Sequence, residues 1–170
     1  MVIYHYPEVF AVDEQTCCFV GHRLIPKEKR RGIRKKLEWA ICTLIELGVT
    51  TFLTSGTLGF DIMAAGTVLR LKRAFPHIRL ILILPQENQI RHWRDSSIAN
   101  YRLIREHADG VIFLLRQNGA GHTEERMQYL AEHSDWCICY LSGEVGETRN
   151  TVEYLKSQAI PLVNIAKKPL

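Results

Sequence analysis

No stretch of the 170 residues approaches the ~18 consecutive apolar residues needed to cross a bilayer, so no membrane partner is expected. The opening "MVIYHYPEVFAVDEQT" carries acids and a proline and has no signal-like apolar segment. Residues 1–15 are expected to form a short arm laid on the domain. Cysteine is scarce and poorly spaced for a scaffold: Cys17, Cys18, Cys42, Cys137 and Cys139 are an odd set, adjacent or one apart, with no C-x-x-C. That pattern predicts reduced thiols in a cytoplasmic protein, buried as small core residues, and no metal site. Neither charge dominates. The net charge of +4 admits an anionic ligand but does not demand nucleic acid, which calls for cations gathered on one face. Two phosphate motifs are also missing. "SGTLGFD" lacks the G-K-[ST] of a Walker loop, and no G-x-G-x-x-G follows the first strand. ATPase chemistry of that type and ordinary dehydrogenase chemistry are therefore disfavoured.

What the chain has is alternation. Apolar runs at Cys17–Val20, Thr50–Gly56, Arg79–Leu84, Gly110–Leu115, Trp136–Leu141 and Ile160–Ile165 read as strands. Between them lie segments of helical period: Lys27–Gly48, Leu58–Phe75, Ile90–His107, the stretch "HTEERMQYLAEHS" and Thr148–Gln158. In the first of these, Ile33, Leu37, Ile41, Leu44 and Ile45 form one apolar face. The strands are continuous apolar runs, which means both faces of the sheet are covered. The predicted fold is α/β, a doubly wound, mainly parallel sheet of five to six strands with helices on both faces. No linker, internal repeat or low-complexity tract divides residues 1–170, so one domain is expected.

In such a sheet, ligands bind beyond the carboxyl ends of the strands. Three of those ends carry glycines and small hydroxyls ahead of a helix: Gly21-His22-Arg23, then Ser55-Gly56-Thr57-Leu58-Gly59-Phe60-Asp61, then Ser142-Gly143-Glu144-Val145-Gly146-Glu147-Thr148. Glycine lets backbone approach a ligand, and helix-start N–H groups favour anions. Arg23 adds a planar, permanently charged donor for phosphate or carboxylate. Asp61 reads either as a brace for the helix start or as an acceptor for a ribose hydroxyl. His22 reads as an acid–base group or, preferably, as a loop-holding hydrogen-bond partner, because no nucleophile arrangement surrounds it. The stretch "KEKRRGIRKK" packs seven cations and one acid into ten residues. Apolar partners follow it at helical spacing, so it reads as a solvated helix face before a nucleic-acid surface. Few aromatics lie within it, which argues against stacking on single strands.

At these loops "FVGHR", "LTSGTLGFDIMAA", "LILILPQENQIRHWRDSSIANYRLIREHADGVIFL" and "SDWCICYLSGEVGETRNTVEYLKSQAIPLVNI" the chain resembles the YpsA-like branch of the SLOG superfamily. That superfamily also contains the DNA-processing protein DprA and the Lonely Guy phosphoribohydrolases. The resemblance runs from about Cys17 to Ile165. It implies a Rossmann-like sheet that binds a nucleotide or nucleotide-derived ligand, ADP-ribose or NAD-like compounds included, with no cofactor firmly implied. By position it implies that Gly21, His22, Arg23, Ser55, Gly56, Gly59 and Asp61 line one side. Pro85 and Gln86 border the pocket, Arg126 enters from the fourth helix, and Gly143, Gly146 and Thr148 close it. The chain departs from the Lonely Guy enzymes, whose P-G-G-x-G-T-x-x-E has no counterpart in "LSGEVGETRNTVEYL". Glu153 is five positions beyond Thr148. Glu144 and Glu147 repel a bare phosphate unless they turn away or bind ribose hydroxyls. The favoured expectation is a nucleotide-ligand sensor or regulator. A nucleotide hydrolase and a DprA-like DNA binder are the alternatives, and a homo-oligomer is left open.

Overall fold

A computed structural model describes residues 2–5, 14–85, 89–114, 122–143 and 145–167. Among the described residues seven strands and five helices follow one another: β1 (Val2–His5), β2 (Gln15–Gly21), α1 (Lys27–Glu46), β3 (Val49–Thr54), α2 (Phe60–Leu71), β4 (Arg79–Pro85), α3 (Asp95–His107), β5 (Gly110–Leu114), α4 (His122–His133), β6 (Trp136–Tyr140), α5 (Glu147–Ser157) and β7 (Leu162–Asn164). The strands form one parallel sheet in the order β1-β5-β4-β3-β2-β6-β7. The doubly wound α/β fold is thus the one the alternation predicts. Its sheet is one strand wider than expected, because part of the N-terminal arm pairs as β1 along β5, with Val2 opposite Gly110.

Side chains point to opposite faces along each strand, and this splits the core in two. Cys17, Phe19, Phe52, Leu80, Leu82 and Ile138 pack under α1, α2 and α3. Cys18, Leu53, Ile81, Ile83, Cys137 and Cys139 pack under α4 and α5. Neighbouring positions thus serve different layers, which is why the strands had to be apolar throughout. The helices supply matching faces. Ile33, Leu37, Ile41, Leu44 and Ile45 of α1 are buried, as the spacing predicts, and its cations face outward. On the other side Tyr129 and Leu130 of α4 and Val152 and Leu155 of α5 complete the second core.

One helix boundary differs. The sequence predicts a helix from Ile90, but α3 starts at Asp95. Residues 90–93 form a turn closed by Trp93 N–H donating to the Ile90 carbonyl, 3.0 Å, and the Trp93 ring stands edge-on to Tyr101, 5.5 Å between centroids. The run Asp95-Ser96-Ser97 favours a helix start over a helix interior, and an acid in the first turn complements the helix dipole.

The chain moves outward from β2 through β3, β4 and β5, then returns to place β6 on the other side of β2. The direction of winding therefore reverses between β2 and β6. A crevice opens there beyond the carboxyl ends of the strands. No helix among the described residues is long and apolar enough to cross a membrane.

Candidate functional site

The exit of β2 is fixed by packing before any ligand is considered. A Cβ on Gly21 would overlap the Phe60 ring, and a Cβ on Gly59 would overlap the Arg23 carbonyl. Gly59 also has φ +85°, in the left-handed region. These two glycines let the start of α2 settle on the end of β2, and the Phe60 N–H donates to the His22 carbonyl, 3.0 Å. His22 ties this corner to the far side of the crevice. Its Nε2 accepts from the Ser142 N–H at 3.0 Å, and its ring stands edge-on to Tyr140. Accepting at Nε2 leaves the proton on Nδ1 and the ring neutral. Partial burial holds its pKa below the usual imidazole value. The preferred expectation, a loop-holding histidine, describes this geometry.

The exit of β3 builds the acidic wall. Asp61, in the first turn of α2, is 5 % exposed. Its Oδ2 accepts hydrogen bonds from the Ser55 hydroxyl and from Thr57 Oγ1, the latter at 2.9 Å. Its Oδ1 is buried and has no hydrogen-bond partner among the described residues. The two readings of Asp61 thus divide between its oxygens: one braces the loop and the other is left for something else. Burial raises the Asp61 pKa; the Ser55 hydrogen bond, the Arg126 charge, the Thr57 hydrogen bond and the Arg23 charge oppose that rise.

The exit of β6 builds the opposite wall. Gly146, φ +124°, is the N-cap of α5 and has no side chain to cap its first turn. Thr148 Oγ1 donates to the Gly21 carbonyl at 3.3 Å, joining α5 to the end of β2. From α4, Arg126 Nη2 donates to Glu147 Oε1 at 2.7 Å, and Thr123 Oγ1 donates to the same oxygen at 3.3 Å. Glu147 is therefore occupied with Arg126. The repulsion expected of a bare glutamate beside a phosphate is offset at this position. Glu144 lies outside the described residues.

Together these walls enclose a cleft of about 210 Å³. Of the residues singled out in the sequence, Gly21, His22, Arg23, Ser55, Asp61, Arg126, Gly146 and Thr148 line it. Gly56, Gly59 and Gly143 do not. Gly56, φ +63°, sits against the Tyr101 ring behind the loop. The Gly143 carbonyl accepts from Arg149 Nη1 at 3.4 Å, bracing the loop before α5. Pro85 ends β4, two strands from β2. Gln86 lies outside the described residues. Gln89 reaches the loop after β3 instead, with Nε2 3.4 Å from the Ser55 carbonyl. Thr57, from the strand end singled out for its small hydroxyls, lines it too, while sequence reasoning passed over Leu130 and Thr151, which also do. Their signal was helical spacing: Leu130 is four residues after Arg126, and Thr151 three after Thr148.

The lining offers two guanidiniums, a helix start and one buried carboxylate oxygen. It is suited to an anionic group at one end and hydroxyl donors at the other. Among the described residues no group of three or more His, Cys, Asp or Glu side chains is placed to hold a metal. Cys17, Cys18, Cys137 and Cys139 are buried free thiols and Cys42 is half-buried.

The sequence profile of the YspA SLOG family matches residues 26–163. A UPF0398 protein of Halalkalibacterium halodurans is 38% identical over 123 residues, 69% of this chain and 65% of that protein. A UPF0398 protein of Brevibacillus brevis is 32% identical over 123 residues, with the same coverage of both chains. The chain thus spans about two thirds of the length of these relatives. Among solved structures, DNA processing protein A from Helicobacter pylori, described for its single-stranded DNA binding mode, superposes with a TM-score of 0.56 at 15% identity. That match covers 88% of this chain and 64% of the other, and at this identity it is a likeness of fold.

Proposed function

The chain belongs to the YspA SLOG family, and on that premise we propose that it binds a nucleotide or nucleotide-derived small ligand in the cleft between β2, β3 and β6, as a sensor or regulatory protein. The observation that carries this reading is Asp61 Oδ1: a buried carboxylate oxygen without a partner among the described residues, in a cleft that also holds Arg23 and Arg126. An unpaired buried acceptor costs stability unless a ligand supplies the donor. Ribose hydroxyls are such donors. A phosphate then falls to the N-terminal turn of α5 with Arg23 and Arg126. The cleft volume of about 210 Å³ lies below the ~300–1,000 Å³ of sites that enclose a whole drug-sized ligand. It suits the sugar and phosphate, with the base at the open mouth.

A second reading is a nucleotide hydrolase. It is favoured by one feature, the raised pKa of Asp61 inside a cleft, which is how a general acid or base is tuned. One panel tests both. Melting of the protein is followed with ribo- and 2′-deoxyribonucleotides, ADP-ribose and NAD, and the same mixtures are assayed for released base. Ligand at ~100 times its dissociation constant adds about 2.7 kcal/mol of stability. The expected result is a ribose-dependent upward shift, lost in Arg126→Ala and in Asp61→Asn. A panel without any shift removes the binding reading. Release of free base that Asp61→Asn abolishes replaces the sensor with the hydrolase.

A further inference from the structure

Beyond the turn that follows β2 lies a second, larger concavity of about 990 Å³, between the start of α1, the outer side of α2 and the segment that leads into α3. Five arginines line it: Arg23, Arg30, Arg34, Arg70 and Arg94, with His92 beside them, and among the described residues no aspartate or glutamate lines it. Of the five, Arg70 alone makes an ion pair among the described residues, with Glu38 at 2.7 Å. Arg30 spends its Nε on the Ile25 carbonyl, 3.2 Å. Arginines gathered from four separate segments, with no acid among the described lining residues, repel one another, and an anion relieves that repulsion. The same concavity has an apolar lining. Ile62, Met63 and Trp93 contribute to it, and Leu24 stands 89 % exposed at its edge.

Cations and an aromatic-apolar surface in one groove match the two halves of an unpaired nucleotide chain: phosphates for the guanidiniums, base faces for the tryptophan and its neighbours. A duplex presents its phosphates but keeps its bases stacked away from such a surface. Phosphate alone would not require the apolar lining. We propose that this groove is a second site, separate from the cleft, that binds single-stranded nucleic acid, with phosphates on Arg30, Arg34, Arg70 and Arg94 and bases on Trp93, Met63 and Ile62. Arg23 lines both concavities, so it does not serve to tell them apart.

The test is fluorescence anisotropy of the full chain with a labelled 20-residue oligothymidylate and a duplex of equal length, at ~150 mM salt, where weak charge-driven association fades. The single strand is expected to bind at least tenfold more tightly than the duplex. The double variant Arg30→Ala/Arg34→Ala is expected to weaken it at least tenfold. The slope of log affinity against log salt should fall by about 1.4, at ~0.7 per lost phosphate contact on a single strand. Arg94→Ala, on an exposed side chain outside the helix interiors, gives an independent check if the double variant fails to fold. Trp93→Leu is expected to weaken binding while leaving the salt slope unchanged. A saturating mononucleotide should leave the oligonucleotide bound. Equal affinity for the duplex, wild-type binding by folded arginine variants, displacement by the mononucleotide, or preferential capture of phosphatidylserine vesicles overturns the proposal, as does absence of binding at this salt.

Discussion

Asp61 decides more than any other residue whether the cleft is a site or a flaw. A carboxylate 5 % exposed, with one oxygen unsatisfied among the described residues, destabilises the protein when ionised. The Ser55 and Thr57 hydroxyls and the two arginines offset only part of that cost, which is why burial prevails and its pKa rises. The sign follows from linkage. A pKa raised in the folded state means that folding retains the proton, so the contribution of Asp61 is fully present below the ordinary carboxylate value of 3.8 and is lost as pH rises through the shifted one. Asp61→Asn keeps the shape and removes the charge. The unliganded variant is therefore expected to melt above the wild type at neutral pH, with a gap that narrows as the pH falls toward the carboxylate range. Melting curves across pH check this; a variant less stable than wild type at every pH shows that the carboxylate is structural. His22 has the opposite shift. Its neutral form holds Ser142, so the contribution of that ring is present above the usual imidazole value of 6.5 and is lost as acid protonates it.

At the scale of elements, the corner where α2 meets β2 shapes the cleft. Phe60 is fully buried, packs edge-on against Phe19 and stacks on Tyr140, and covers the position where a Gly21 side chain would stand. Gly21→Ala must push α2 away or displace the ring. Overpacking of this kind costs about 1–3 kcal/mol, read as a melting temperature lower by several degrees in a domain of this size. Since Asp61 adjoins Phe60 on the same helix, the variant is also expected to lose its ligand-dependent shift. Wild-type stability and ligand response in Gly21→Ala would show that the corner is loose. The other end of α2 is held differently. Lys72 Nζ donates to Asp109 Oδ2 at 2.6 Å, and that oxygen also accepts the Leu80 N–H, so the link between α3 and β5 is pinned beside β4.

The whole molecule is a sheet with protected interior strands and two small edges. β2 lies between β3 and β6, with Phe19 and Cys18 serving opposite cores, whereas β7 has three residues and β1 four at the two margins. Hydrogen exchange is accordingly expected to be slowest in β2 and β3 and fastest, among strands, in β1 and β7, because edges open locally while the centre exchanges only with global unfolding. Protection of β7 equal to that of β2 would contradict this order.

By itself the sequence determined the doubly wound α/β class, the order of elements from Cys17 to Ile165, the buried face of α1 and most of one wall of the cleft. Those features follow from local chemistry: continuous apolar runs, helical spacing, and glycines at strand ends. It did not settle that Gly56 and Gly59 serve packing while Gly21 serves both packing and the cleft, because that depends on where Phe60 and Tyr101 come to rest. Nor did it show that Glu147 turns to Arg126, a partner 21 residues away. The basic stretch of α1 read as a solvated face because apolar partners follow it at helical spacing, and its lack of aromatics argued against stacking on single strands. Only the tertiary structure set Arg70 of α2, and Trp93 and Arg94 before α3, beside it, since the crossovers fold helices distant in sequence onto the same side of one sheet.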